Sequence, residues 1–194
     1  MSGRPRPRAY RRRAWHPGTV PDTGPADERV RLCRWSAADA GWYAQQTADP
    51  LIQRYSSEPP DLTAAAVAAA IDRVNGDPDL ASFLVTDAGT GARLGNIGVH
   101  RRGRVGDVSY WVSPGARGTG VATRALRLLV AWAFEALDLA ELRLWTHPDN
   151  AASQAVAVRA GFRPDPARDR RRTVGGAARD TTAYRLPRPP ATPR

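Results

Sequence analysis

Apolar residues at Ala122, Ala125, Leu126, Leu129, Val130, Ala133, Phe134 and Leu137 recur at i, i+3, i+4, i+7, i+8, i+11, i+12 and i+15. That 3.6-residue stripe predicts an amphipathic helix from Ala122 to about Leu137. A strand over Val105–Val112 precedes it and another over Leu142–Thr146 follows. Strand, helix and strand in that order make a right-handed crossover unit with two parallel strands. Upstream, Val30–Trp35 reads as a strand, and Ser36 with Asp39 three residues on reads as a loose capping box opening a helix to about Thr47. Asp49 to Asp61 reads as a loop, and Asp61 or Thr63 then caps an alanine-rich helix ending near Asn75-Gly76. Ser82–Thr86 and Arg93–His100 read as strands about the turn Asp87–Gly91, and Arg101–Arg104 turns into Val105, giving three antiparallel strands. Asn150 caps a short helix to Ala160, with Gly161 as its left-handed stop. Phe162–Pro164 and Thr182–Leu186 are the final strands, separated by an arginine-rich loop. The pattern is that of an α/β (α+β) domain over about 29–187, with tails at 1–28 and 188–194.

Between the strand at Val105–Val112 and the long helix lies Arg117-Gly118-Thr119-Gly120-Val121-Ala122. Such a turn aims free backbone N–H groups at one spot, at the positive end of a helix, where a diphosphate fits without a lysine. The segment is not a P-loop, which needs a Lys followed by Ser or Thr. Nor is it a dinucleotide fingerprint: the third glycine is missing, and Asp138, at roughly the right distance, ends the helix itself. The plain alternative is a turn whose glycines only let helix and strand pack.

The net charge of +10 raises nucleic-acid binding, but its distribution does not support a basic groove. Residues 1–29 carry +4 and residues 163–194 carry +6, while 30–162 hold 13 Arg against 13 acids. Every basic residue is Arg, which coding bias explains better than selection for bidentate chemistry does, and which excludes a lysine nucleophile. Cys33 is alone, so no internal disulfide forms, and it reads as core filler in a strand. His16, His100 and His147 share no metal-ligand spacing, so no metal is expected. No apolar run approaches the ~20 residues a membrane span needs. Arg11-Arg12-Arg13 is followed by a polar, proline-rich stretch, so secretion is not expected, residues 1–28 read as disordered, and a cytoplasmic protein is.

The stretch YWVSPGARGTGVATRAL resembles motif A of the GCN5-related N-acetyltransferase (GNAT) superfamily, with Arg117, Gly120 and Ala122 at its Arg/Gln, Gly and Gly/Ala positions. Asn150-Ala151-Ala152-Ser153 and Arg159-Ala160-Gly161-Phe162 resemble motif B of its RimJ/RimL-like branch of ribosomal-protein N-terminal acetyltransferases, and Val30–Ala40 resembles that branch's first strand and helix. The likeness runs from about Val30 to Leu186. It implies a mixed, mostly antiparallel sheet whose parallel strand pair splays to admit the pantetheine arm of acetyl-CoA. Ser113-Pro114, which ends the first of those strands, is an independent hint, since proline cannot extend a ladder.

On that resemblance the amides of Gly118, Thr119, Gly120, Val121 and Ala122 hold the pyrophosphate, with Arg117 and Arg124 as added charge or as ordinary helix-edge arginines. The Val112 amide polarises the thioester carbonyl, an oxyanion-type role. Asn150 is a favoured N-cap and, by the resemblance, also a contact to the cofactor arm. Many relatives carry a tyrosine acid where this chain has Ala157, which leaves Ser153 as the substitute proton donor, or as simple helix-start packing. Asp107 stands where relatives carry an acidic residue, as general base or as a solvent-facing strand residue. His147 opens a turn, and a turn role is favoured over a base role; His100 is a strand-end residue facing the acceptor.

The acceptor surface is expected from Asp49–Asp61, with Arg54 and Tyr55, and from His100, rimmed by Arg170, Arg171 and Arg172. That rim suits an acidic acceptor or a negatively charged partner such as the ribosome, or is a solvated charge run. A free α-amine has a pKa of ~7.7–8.0 against ~10.4 for Lys, so a modest base favours an N-terminal or weakly basic small amine. The expectation is acetyl transfer from acetyl-CoA to a primary amine by direct attack, in a monomer or homodimer. Two alternatives are a non-catalytic acyl-CoA-binding module and a nucleic-acid binder driven by its tails.

Overall fold

The computed structural model describes residues 23–174 and 177–190. Its strands run β1 (Thr23–Ala26), β2 (Val30–Arg34), β3 (Leu80–Asp87), β4 (Arg93–Arg102), β5 (Val105–Val112), β6 (Glu141–Thr146), β7 (Arg163–Pro164), β8 (Arg170–Val174) and β9 (Ala177–Pro187). They form a sheet ordered β1-β2-β3-β4-β5-β6-β9-β7, with β8 added on β9. The one parallel pairing among the described residues is β5 with β6; α4 (Val121–Ala136) joins these strands as the crossover that the hydrophobic stripe predicts.

The sheet is covered on both faces. On one, α4 packs Ala125, Leu126, Leu129, Trp132 and Ala133 against Leu32, Phe83, Ile97, Val99, Leu142 and Leu144, all buried. Each such leucine removed from water contributes roughly 1.5–3 kcal/mol. Trp132 lies outside the predicted stripe but meets Phe83 edge to face at 5.0 Å. On the other face, α1 (Ala40–Thr47) and α3 (Ala64–Gly76) close over Trp35, Leu84 and partly buried Cys33. Thr63, not Asp61, caps α3, its hydroxyl accepting from the Ala66 N–H at 3.1 Å. The Asp39 carboxylate accepts from the Ser36 N–H at 2.9 Å and hydroxyl at 2.6 Å and pairs with Arg93 at 2.7 Å.

Four segments differ from the sequence expectation. Thr23–Ala26, within the segment read as disordered, is an edge strand on β2; residues 1–22 lie outside the described residues. Asp49–Asp61 is not wholly loop, because Pro50–Tyr55 form helix α2, capped by Asp49, which accepts from Leu51 and Ile52 N–H. The arginine-rich stretch is not a loop either, since Arg170–Val174 pairs as β8 along β9 from Arg170↔Thr181 to Val174↔Ala177. Arg188, placed in the tail, donates to the carbonyls of Leu139 at 2.7 Å, Leu137 at 2.9 Å and Phe134, closing the end of α4.

Candidate active site

The β5–β6 pairing covers Val105–Val108 against Glu141–Leu144, yet β5 continues to Val112 and β6 to Thr146. Beyond Val108 the strands part. The Ser113 N–H donates to Leu94 O at 2.8 Å, so Ser113, Trp111 and Ser109 bond toward β4. By the alternation of an antiparallel ladder, the N–H groups of Tyr110 and Val112 therefore point the other way, into the gap. The gap belongs to a cleft of about 1450 Å³ that runs from the turn at Arg117–Ala122 to His100, Asp107 and Trp145.

At one end of the cleft, Gly118 and Gly120 hold φ of 77° and 85°, the left-handed region that disfavours any side chain. A Cβ at either would meet nothing within 4 Å, so the main chain is open to an approaching group. Among the described residues, the amides of Gly118 through Thr123 donate to no protein acceptor; the next bond in the chain is Arg124 N–H to Gly120 O at 3.1 Å. Six successive free donors at the start of a sixteen-residue helix form an anion cradle. The Thr119 hydroxyl donates to Ala116 O at 2.7 Å and so shapes the turn instead of facing the cleft.

The two arginines beside the cradle are already engaged. Arg117 donates from both terminal nitrogens to Asp49, tying the turn to the cap of α2. The Arg117 guanidinium, more than the opposing burial, holds the Asp49 carboxyl below its ordinary range. Arg124 pairs with Asp27 at 2.8 Å and Glu28 at 2.5 Å.

In the middle of the cleft, the side chains of β5 divide by parity. Tyr110 reaches α5 (Ala151–Arg159), where its hydroxyl lies 2.9 Å from Ser153 Oγ and 3.2 Å from Ser153 O. Burial pushes the Tyr110 phenol up to about 12, against the pull of the Ser153 hydrogen bond, so it keeps its proton at neutral pH. Asn150 caps α5, Oδ1 accepting from the Ser153 N–H at 3.1 Å, and both residues line the cleft. Ala157 is fully buried in the core, so that helix position offers no polar group to the cleft. Tyr110 escaped the sequence reading, although its phase with Val108 and Val112 was the signal that it faces α5.

On the opposite face, Trp111 stacks on Trp42 of α1 at 5.8 Å. Asp107 shares that face and lies across from His100 in the ladder. Its carboxylate is 3.4 Å from Arg102 Nε and about one-fifth exposed. His147 sits in the turn before α5 with Nδ1 against Asp149, whose other oxygen pairs with Arg54 at 2.5 Å; this is the turn role expected for it. The cleft thus brings together the expected residues Asp107, Val112, Arg117, Gly118, Gly120, Val121, Ala122, Asn150 and Ser153, but Thr119 does not line it. Among the described residues no group of three His, Cys, Asp or Glu could hold a metal, and no helix is long and apolar enough to cross a membrane.

A mostly antiparallel sheet with one parted parallel pair, and an amide-lined turn feeding a crossover helix at the gap, is the architecture of an acyl-CoA-dependent N-acetyltransferase. The chain belongs to the acetyltransferase (GNAT) domain family, whose family model matches residues 29–163. Over 75 residues it is 33% identical to the Bacillus subtilis protein named "Putative ribosomal N-acetyltransferase YdaF", a stretch covering 37% of this chain and 41% of that one. In fold it is similar to Mycobacterium smegmatis RimJ, solved with a CoA disulfide, at a TM-score of 0.76 and 21% identity over 89% of this chain and 90% of that one. It is also similar to Vibrio cholerae spermidine N-acetyltransferase, solved with CoA and spermine, at 0.73 and 16% over 83% and 96%. The motif resemblance to the RimJ/RimL-like branch agrees with these relatives.

Proposed function

We propose that the protein transfers the acetyl group of acetyl-CoA to a primary amine, a protein N-terminal α-amine or a small-molecule amine, by direct attack and in the cytoplasm. The observation that carries this is the run of unpartnered amides from Gly118 to Thr123, opening on the gap between β5 and β6. The fit is favourable: orphan donors and open space above two glycines suit a diphosphate, and the gap suits an extended arm that borrows the free N–H groups of β5.

Acetyl-CoA supplies a thioester carbon as electrophile. Around it, the N–H of Val112 would donate to the carbonyl oxygen as charge builds there, while that of Tyr110, about 7 Å back along the strand, is left for the extended arm. Asp107, further back along β5, takes the proton of the acceptor amine through a chain of waters in the cleft as the new C–N bond forms. Ser153 returns a proton to the sulfur as the C–S bond breaks, and Tyr110, hydrogen-bonded to it, fixes its hydroxyl and can refill it. Asn150 holds the start of α5 so that Ser153 faces the gap.

A non-catalytic acyl-CoA carrier would not need the Tyr110–Ser153 pair at the cleft. Calorimetry with acetyl-CoA, followed by thiol release across a panel of amines and short peptides with free N-termini, tests the proposal. Uptake with amine-dependent thiol release is expected; uptake without release for any amine would leave only the carrier.

A further inference from the structure

The far end of the cleft holds a cation with no ion-pair partner among the described residues. Arg172, on β8, lays its guanidinium 3.8 Å from the centroid of the Trp145 ring. Its Nη1 is enclosed and without a hydrogen-bond partner, and among the described residues Arg172 makes no ion pair. Of the other arginines lining the cleft, Arg102 pairs with Asp107, Arg117 with Asp49 and Arg124 with Asp27, and Arg127 donates to the Arg159 carbonyl. Among the described residues Arg159, on α5, also makes no ion pair, but it does not lie on a ring as Arg172 does. Burial holds the Arg172 guanidinium below its usual value, with Arg170 and Arg102 adding to the effect and Asp107 opposing it. A partly dehydrated cation repelled by its neighbours is costly until an anion meets it.

Register places this corner. Asp107 stands opposite Arg143 on β6, and Trp145 lies two residues further on, so Trp145 and Asp107 share a face of the sheet. Asp107 is five residues before Val112, about 16 Å along the strand and away from the amide cradle. An anion arriving at Arg172 is therefore not the cofactor diphosphate and must come with the acceptor.

We propose that Arg172, seated on Trp145, binds a carboxylate carried by the acceptor, on the same face of the sheet as Asp107 and beyond the amine that reaches the thioester. This rests on the acetyltransferase reading above and narrows its substrate class to amines that also bear a carboxylate. Two sources share that chemistry: an amino-acid-like small molecule, and a peptide with an acidic side chain close to its free N-terminus. A polyamine is disfavoured, since its second cation would meet Arg172.

The test compares kcat/KM for matched acceptors, with acetyl-CoA affinity measured in parallel by calorimetry. One arm uses 4-aminobutyrate against 4-aminobutyramide; the other uses N-terminally free Ala-Glu-Ala-Ala-amide against Ala-Gln-Ala-Ala-amide. In at least one arm the carboxylate form should be preferred by about tenfold or more, the range for a charge-assisted contact, and the arm that shows it identifies the source. Arg172→Gln should bring that ratio close to one, with acetyl-CoA affinity unchanged, and Arg172→Lys should keep part of it. Equal rates in both arms for the unmodified protein, or a preference surviving intact in Arg172→Gln, would overturn the inference. Should Arg172→Gln fail to fold, the ratios in the unmodified protein decide alone. An absence of acetyl-CoA uptake by the unmodified protein would have a separate signature and would remove the parent reading together with this one.

Discussion

Gly120→Glu isolates the cradle from everything else in the domain. Gly120 holds φ 85° and ψ −1°, so any side chain there costs about 1–2 kcal/mol of folding free energy. For a domain of this size that lowers Tm by roughly 2–8 °C. No protein atom lies within 4 Å of the new Cβ, so packing adds nothing to that cost. Binding is hit much harder. A carboxylate about 5 Å from a single phosphoryl charge, at an effective dielectric of 20, is opposed by about 3 kcal/mol, or roughly two decades in Kd. The diphosphate carries more than one such charge, so a loss of at least about a hundredfold is expected. Gly103→Glu is the matched control: φ is 62° at the β4–β5 turn, and it does not line the cleft. It should lower Tm similarly and leave acetyl-CoA affinity alone. Calorimetry and thermal melts on both variants read the two effects apart. A folded Gly120→Glu protein with full acetyl-CoA affinity would show that the amides of 118–123 do not hold the diphosphate.

Ser153→Ala should leave acetyl-CoA binding intact and slow turnover by about 10²–10⁴, as loss of a positioned proton donor does. Tyr110→Phe should slow it less, and the double variant should be no slower than Ser153→Ala; additive losses in steady-state kcat would refute a shared relay. Arg188→Ala removes three donors from the carbonyls ending α4 and, the arginine being exposed, should lower stability by about 1 kcal/mol in denaturant melts with acetyl-CoA affinity unchanged. Burial raises the Asp39 carboxyl, but the Ser36 hydroxyl, Arg93 and the Ser36 amide outweigh it and hold it below its ordinary value. A depressed folded-state value means the stabilisation is present above about pH 4 and is lost as pH falls further. Asp39→Asn should therefore be less stable at pH 7 and show a shallower loss of stability on acidification; an unchanged slope below pH 4 would refute this.

How much could be read from the chain depended on how local the cause was. The α4 stripe, the Asn150 cap and the crossover all write their reasons into neighbouring residues, and the structure repeats them within a residue or two. β1 reads TGPA and β8 begins RRR, neither with alternating apolar positions. Both are strands only because β2 and β9 offer a ladder to pair with, which no local window contains. Helix α2 was legible, since Asp49-Pro50 is a cap followed by a proline suited to the first helical turn. In the cleft, residue types and their order were readable, but their pairing was not. That Arg117 faces Asp49, that Arg172 makes no ion pair among the described residues and that Tyr110 meets Ser153 depend on contacts across at least 43 positions of chain, or on the lack of them.

Asp49 accepts the amides that begin α2 and also grips Arg117, so one carboxylate joins α2 to the glycine turn that opens α4. Movement at either end is felt at the other through a single side chain. A nucleotide that drew Arg117 toward its phosphates would release the ion pair that ties α2 to the turn. On the proposed function, loading of the donor and admission of the acceptor would then be coupled through Asp49.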